Sequence, residues 1–172
     1  MKIVNIIVIL LSVCSNFCAW GQQKNVNQLS REEEKDGFQL LFDGQSLNNW
    51  INNAEEYFVE DGCIVKKSSG FGNLYSKEEF GNFILRFEFQ LTPGANNGLG
   101  LRHVVMPKDK GYLGMELQIL DNEDSQYKDL KPYQYHGGLY NYVPAKRGYL
   151  KPVGEWLSLI HISEPTRRRG IS

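Results

Sequence analysis

The sequence predicts an all-β protein, built as an antiparallel β-sandwich, and three observations carry that prediction. Apolar and polar residues alternate with period two in several short runs. Glycine, asparagine, aspartate and proline punctuate those runs as turn formers. Beyond the N-terminal apolar stretch, no segment sustains a helical period. The 17 glycines and 12% aromatic residues among 172 positions suit a fold with many turns and large core side chains.

The N-terminus has the layout of a secretory leader. Lys2 supplies positive charge, Ile3 to Val13 is an apolar run, and Ala19-Trp20-Gly21 offers a small-residue processing site. The run is too short for a convincing membrane span. Anchoring as a lipoprotein through Cys14 or Cys18 is the competing reading. Val13 and Phe17, directly before those cysteines, are bulkier than such processing favours. Residues 1–21 are therefore expected to be a signal peptide outside the fold, and the chain to be exported, periplasmic or extracellular. Only Cys63 would remain in the mature chain, and one cysteine makes neither an internal disulfide nor a zinc cluster. It is expected to be a small buried hydrophobe.

Residues 22–36 are polar, end in the charge run Arg31-Glu32-Glu33-Glu34-Lys35, and read as a linker with one helical turn. The globular part begins at Gly37. Phe38, Leu40 and Phe42 alternate as a strand, Asp43-Gly44 turns the chain, and Trp50 is a buried anchor. Tyr57 to Glu60 and Cys63 to Lys66 flank Asp61-Gly62, a strong two-residue hairpin signal. Asn73 to Tyr75 begins another strand, and Lys77 to Phe80 is a tight connection. Phe83 to Leu91, Gly98 to Val105 and Gly114 to Leu120 are the clearest strands, with Pro93-Gly94 and Asn96-Asn97-Gly98 as turn residues. Asp121 to Pro132 is a polar loop, and His136 to Tyr142 is a short strand or a functional loop. After Trp156 no alternating core pattern is legible. Residues 157–172 are expected to be an atypical tail, on a sandwich left incomplete at its C-terminus.

Formal net charge is −1, and no basic stripe is interleaved with aromatics, which argues against nucleic acid and anionic membrane surfaces as partners. The strands instead carry polar faces suited to a polar ligand. Arg86, Glu88 and Gln90 share one face; so do Gly98, Gly100 and Arg102; so do Glu116 and Gln118. Glycines opposite long side chains would open a trough in which a sugar could lie. A glycosidase of the usual kind needs two carboxylates flanking the bond. The same-face successors of Glu116 are Gln118 and Leu120, so the second carboxylate is missing there. Asp121 falls on the opposite parity, and Glu88 would have to come from another strand. His136, followed by Gly137-Gly138 and by Tyr140 and Tyr142, could stack on and hydrogen-bond a sugar or exchange protons near neutral pH. His103 falls on the core parity and reads as structural. Lys146 and Arg147 read as a solvated pair. No set of His, Asp and Glu has firm metal spacing, although Glu116 with Asp121 and Asp124 could hold calcium. No metal site is assigned, and the residues point to no particular cofactor.

Five blocks in order, GFQLLFDGQSLNNW, GNLYSKEEFGNFILRFEFQLTPGANNGLGLR, GYLGMELQILD, YQYHGGLY and PAKRGYLKPVGEW, resemble the 3-keto-disaccharide hydrolase domain of exported Bacteroidetes proteins. The resemblance covers residues 37–156 and stops after Trp156. It implies a jelly-roll sandwich of the concanavalin A-like lectin/glucanase type, and action on glycosides oxidised at C3. A C3 ketone acidifies the C2 proton, so elimination followed by hydration needs one base rather than a carboxylate pair. On that expectation Glu116 is the base, Arg102 the enolate or hydroxyl partner, and His136 the acid or positioning group. Glu88, Gln118, Tyr140 and Arg86 would bind the substrate. A non-catalytic carbohydrate-binding module of the same fold, and a conventional glycosidase using Glu116 with Glu88, are the alternatives.

Overall fold

The structure, a computed structural model, describes residues 2–5, 27–51, 54–67, 72–104 and 113–163. The leader's processing site, Cys14, Cys18 and the arginine cluster near the C-terminus lie outside the described residues. The protein is all-β. Among the described residues, ten strands, β1 (Lys2–Asn5), β2 (Phe38–Leu40), β3 (Trp50–Ile51), β4 (Tyr57–Glu60), β5 (Cys63–Lys66), β6 (Tyr75–Ser76), β7 (Phe83–Gln90), β8 (Asn96–Val104), β9 (Leu113–Leu120) and β10 (Trp156–Ser163), are accompanied by one helical turn, α1 (Arg31–Lys35), and three short 3-10 turns.

The described residues fall into two compact units. The first holds those of 2–89 and 158–163, the second those of 90–157. In the first unit a four-stranded sheet has the order β10-β7-β1-β2, and two antiparallel pairs, β3–β6 and β4–β5, stand beside it in the chain order. Its core is Phe38, Leu41, Phe42, Trp50, Cys63, Ile64, Val65, Leu85, Phe87 and Phe89, all buried. The alternation in β7 places Leu85, Phe87 and Phe89 inward, with the last two rings 5.9 Å apart. The Asp61-Gly62 signal holds to the residue. Glu60 pairs with Cys63, and both turn residues have positive φ, 49° and 76°, as a type I′ turn demands. α1 is the expected helical turn, closed by a capping box between Ser30 and Glu33.

Two segments form strands that the sequence reading did not assign. Lys2–Asn5, expected to leave with a leader, forms β1 and pairs in parallel with both β2 and β7, Ile3 standing opposite Phe38 and Ile84. β1 thereby pairs its backbone with one edge of β2 and one edge of β7. The residues after Trp156, expected to lack alternation, form β10 beside β7. Leu157, Leu159, His161 and Ser163 are half-buried, while Trp156, Ser158, Ile160 and Ile162 are exposed. The period was disguised because both faces of this strand carry apolar residues. His161 packs against Phe83 with ring centroids 6.0 Å apart.

In the second unit β8 and β9 form a long antiparallel pair, with Gly98 opposite Gln118 and Gly100 opposite Glu116. The register breaks between Leu101 and Val104, where Arg102 takes a φ of 52°. The chain following the polar loop then returns to the free edge of β9. Gly137 donates to the Gln118 carbonyl (2.8 Å), Gln118 to Gly138 (2.9 Å) and Tyr140 to Glu116 (2.8 Å). Residues 137–140 thus act as a third, irregular strand of this small sheet.

Candidate active site

Glycine shapes the polar face of the β8–β9 pair. A Cβ built on Gly98 would collide with the carboxylate and Cγ of Glu116, so that side chain lies across the glycine's bare backbone. Glycine weakens a strand interior, and its presence here matches the close approach of a side chain. The trough expected between the strands is therefore occupied, by Glu116 itself. Glu116 is half-buried and Gly100 beside it exposed, so the carboxylate stands at a solvent-reachable face.

The bulge changes which β8 residue reaches that face. In a regular strand Arg102 would follow Gly98 and Gly100, and His103 would turn to the core. With the register shifted at Arg102, His103 packs on Gly100 instead. A Cβ on Gly100 would stand 2.6 Å from His103 Cε1 and Nδ1, and one on Gly114 would collide with the same ring. Burial pulls the His103 imidazole below its usual value, while a hydrogen bond to the Met115 backbone and the charge of Glu116 oppose that. Parity counting placed His103 on the core side and missed this packing, because it cannot see a bulge. Arg102 is exposed at the bulge.

His136 sits on the returning segment. Its backbone N–H donates to Asn122 Oδ1 (2.9 Å), and its Nδ1 accepts from the Leu120 N–H (3.4 Å). Burial lowers its pKa, so the neutral ring is favoured. With Nδ1 accepting, the neutral ring carries its proton on Nε2 and is a donor there. Tyr140 is fixed at both ends: its N–H reaches the Glu116 carbonyl, and its hydroxyl bonds Gln134 Nε2 at 2.9 Å.

Gln118 is buried at 3% exposure and donates its amide to Asn96 Oδ1 (2.9 Å), so in this structure it braces the base of the face. Asp121, also buried, accepts from Gly94 N–H (2.9 Å) and Glu123 N–H (3.2 Å) and fastens two loops. Arg86 and Glu88 lie on β7, in the other unit. Arg86 stands 3.6 Å from Glu33 and stacks over the Phe38 ring at 4.3 Å; Glu88 accepts from Ser158 Oγ at 3.4 Å. Of the sequence-predicted residues, Glu116, Gln118, Tyr140 and His136 are brought onto or beside one strand, β9. Arg147 covers the Tyr135 ring at 3.8 Å and Lys146 the Tyr149 ring at 5.6 Å, so both sit on aromatic faces.

Burial, with help from Asp61 and Glu60, pushes the Cys63 thiol up to about 11, as befits an inert core residue. No group of three or more His, Cys, Asp or Glu positioned to hold a metal occurs among the described residues.

Comparisons with known proteins agree with this architecture. The chain is 30% identical over 156 residues to a 3-keto-disaccharide hydrolase of Bacteroides thetaiotaomicron, a match over 76% of this chain and 54% of that protein. The chain thus spans about half the length of the curated relative it matches. Two crystal structures from Parabacteroides distasonis ATCC 8503, each of a protein described as a "putative glycosyl hydrolase", superpose at 25% identity. One gives a TM-score of 0.72 over 80% of this chain and 69% of that one; the other gives 0.53 over 70% and 59%. The 3-keto-alpha-glucoside-1,2-lyase-like domain matches residues 37–162, which carries the match past Trp156 and through most of β10. The chain belongs to the 3-keto-alpha-glucoside-1,2-lyase-like domain family.

Proposed function

We propose that this protein cleaves 3-keto-glycosides by elimination followed by hydration, with Glu116 as the base. The observation that carries the reading is the half-buried carboxylate of Glu116 lying over Gly98 on the β8–β9 pair. Its same-face neighbours on β9 are Gln118 and Leu120, so that strand offers no partner for double displacement. The lyase-like family and the relative's action on 3-keto-disaccharides support the same chemistry.

In the proposed reaction the C3 ketone makes the C2 hydrogen acidic, and Glu116 takes it. The electrons enter the C2–C3 bond and the ketone oxygen becomes an enolate; Arg102, expected as its partner, is turned off the Gly100 face by the bulge and has no assigned part in this step. The enolate then expels the C1 substituent, whose oxygen takes a proton from a water that the Nε2–H of His136 would hold in place. The hydroxide left by that water adds to C1 of the resulting enone, and C2 takes a proton from Glu116 after the carboxyl has exchanged with solvent. The net change is hydrolysis. Tyr140 would pack against the sugar beside the base, and Gln118 would keep the strand face in place. Glu88 and Arg86 are not needed for these steps.

Turnover in D2O tests the route. Elimination places deuterium at C2 of the released 3-keto sugar under conditions where that sugar, incubated without the chain, does not exchange. Direct displacement at C1 leaves C2 unlabelled. Export through residues 1–21 remains part of the proposal, supported by their leader layout. Mass spectrometry of the chain recovered from the periplasm would test it through the position of its first residue.

A further inference from the structure

We propose that His103 is a positioning residue for Glu116, holding and tuning the carboxylate that acts as base; this rests on the reading of Glu116 as that base. Three glycines and a strained residue argue for it. Gly98 clears the space that Glu116 fills, and Gly100 and Gly114 clear the space that the His103 ring fills. Glycine in a strand is disfavoured, so three of them around two polar side chains on one strand pair mark a built arrangement. The fourth element is Arg102. A non-glycine residue at φ 52° is uncommon, and such strain gathers at functional sites. Here it has a definite geometric result: the bulge turns His103 from the core side onto Gly100, beside the strand position of Glu116.

The chemistry of the pair is complementary. His103 bonds to the Met115 backbone, which fixes the ring on the same strand that carries Glu116. Among the groups acting on the ring, Glu116 is the charge that favours its protonated form. A neutral imidazole adds no positive charge near the Glu116 carboxylate, which keeps its basicity. A protonated one would bind that carboxylate as an ion pair and lower its basicity. His103 thereby ties the strength of the base to the strand geometry rather than to contact with the substrate.

The test has two arms on the full chain. In the first, the His103 ring is titrated by NMR in the wild type and in Glu116→Gln. The proposal expects the midpoint to fall when the Glu116 charge is removed; an unchanged midpoint overturns it. In the second, His103→Gln and His103→Asn are assayed on a 3-keto-glucoside. The proposal expects kcat to fall about 10- to 100-fold with KM within about threefold, and the acid limb of the pH profile to move to lower pH because the titrating ring is gone. Wild-type kinetics in both variants overturn it. A wild type that cleaves nothing defeats the reading of Glu116 as base, while the NMR arm still decides the pairing. Circular dichroism and thermal melting of each variant separate loss of fold from loss of the pairing.

Discussion

The Glu116 side chain lies across Gly98, two residue pairs along from the Gly100 that stands opposite it. The Glu116 carboxylate thus packs against bare backbone at Gly98. The space exists because position 98 has no Cβ.

Replacing that glycine is therefore expected to move the base. Gly98→Ala should lower kcat by about 100-fold, the scale of an ångström-level misplacement of a catalytic group. The melting temperature should change little, since the residue is in the half-exposed face of the pair. Kinetics and thermal melting on the same preparation check this. A Gly98→Ala chain with full activity would show that the approach of Glu116 to the strand is incidental.

Removing the base outright should do more. Glu116→Gln keeps the shape and hydrogen-bonding capacity of the side chain but cannot take a proton at the carboxylate, and a loss of about 100- to 10,000-fold is expected. Binding of a 3-keto sugar, followed by calorimetry, should survive. Retained turnover would assign the chemistry to another group.

The hairpin β4–β5 offers a stability test independent of the site. Gly62 sits at φ 76°, where a side chain is strained, and Gly62→Ala should destabilise the fold by about 1–2 kcal/mol. Urea unfolding measures it.

All three histidines of the chain, His103, His136 and His161, are held below the ordinary imidazole value, and burial is the first cause in each case. The folded state then binds fewer protons than the unfolded one as pH falls through the usual histidine range. Their contribution is fully present above that range and is lost on acidification. Melting temperatures recorded from pH 7.5 down to about 5.5, where most carboxylates stay ionised, should fall. His136→Gln should flatten part of the slope.

Much of this fold was legible because hydrophobic alternation and turn chemistry are local. The strands β4, β5, β7 and β9 begin and end within a residue or so of the sequence reading, and Asp61-Gly62 gave the hairpin register directly. Glu116, facing glycines on β8, was legible for the same reason. What was not legible depends on chain that is distant or irregular. The bulge at Arg102 replaced that arginine by His103 on the Gly100 face, and a two-residue period carries no mark of such an insertion. β10 was hidden because Leu157, Ile160 and Ile162 put apolar residues on both faces. β1 falls within the segment that reads as a leader, and apolar composition alone does not separate a leader from a strand.

That last ambiguity has a measurable consequence. β1 supplies partners to both β2 and β7, so a chain beginning at Gln22 lacks a strand that two others use. Such a chain should melt at lower temperature than the full-length one. Equal melting temperatures would mean that residues 2–5 contribute nothing to the sheet.

The most direct measurement is turnover of a 3-keto-glucoside beside its unoxidised parent, by the full chain. Cleavage of the keto form alone is the predicted result, because only a C3 ketone makes the C2 hydrogen removable by a single carboxylate. Equal cleavage of both sugars would contradict the elimination route, and binding of either without cleavage would make this a carbohydrate-binding module rather than an enzyme.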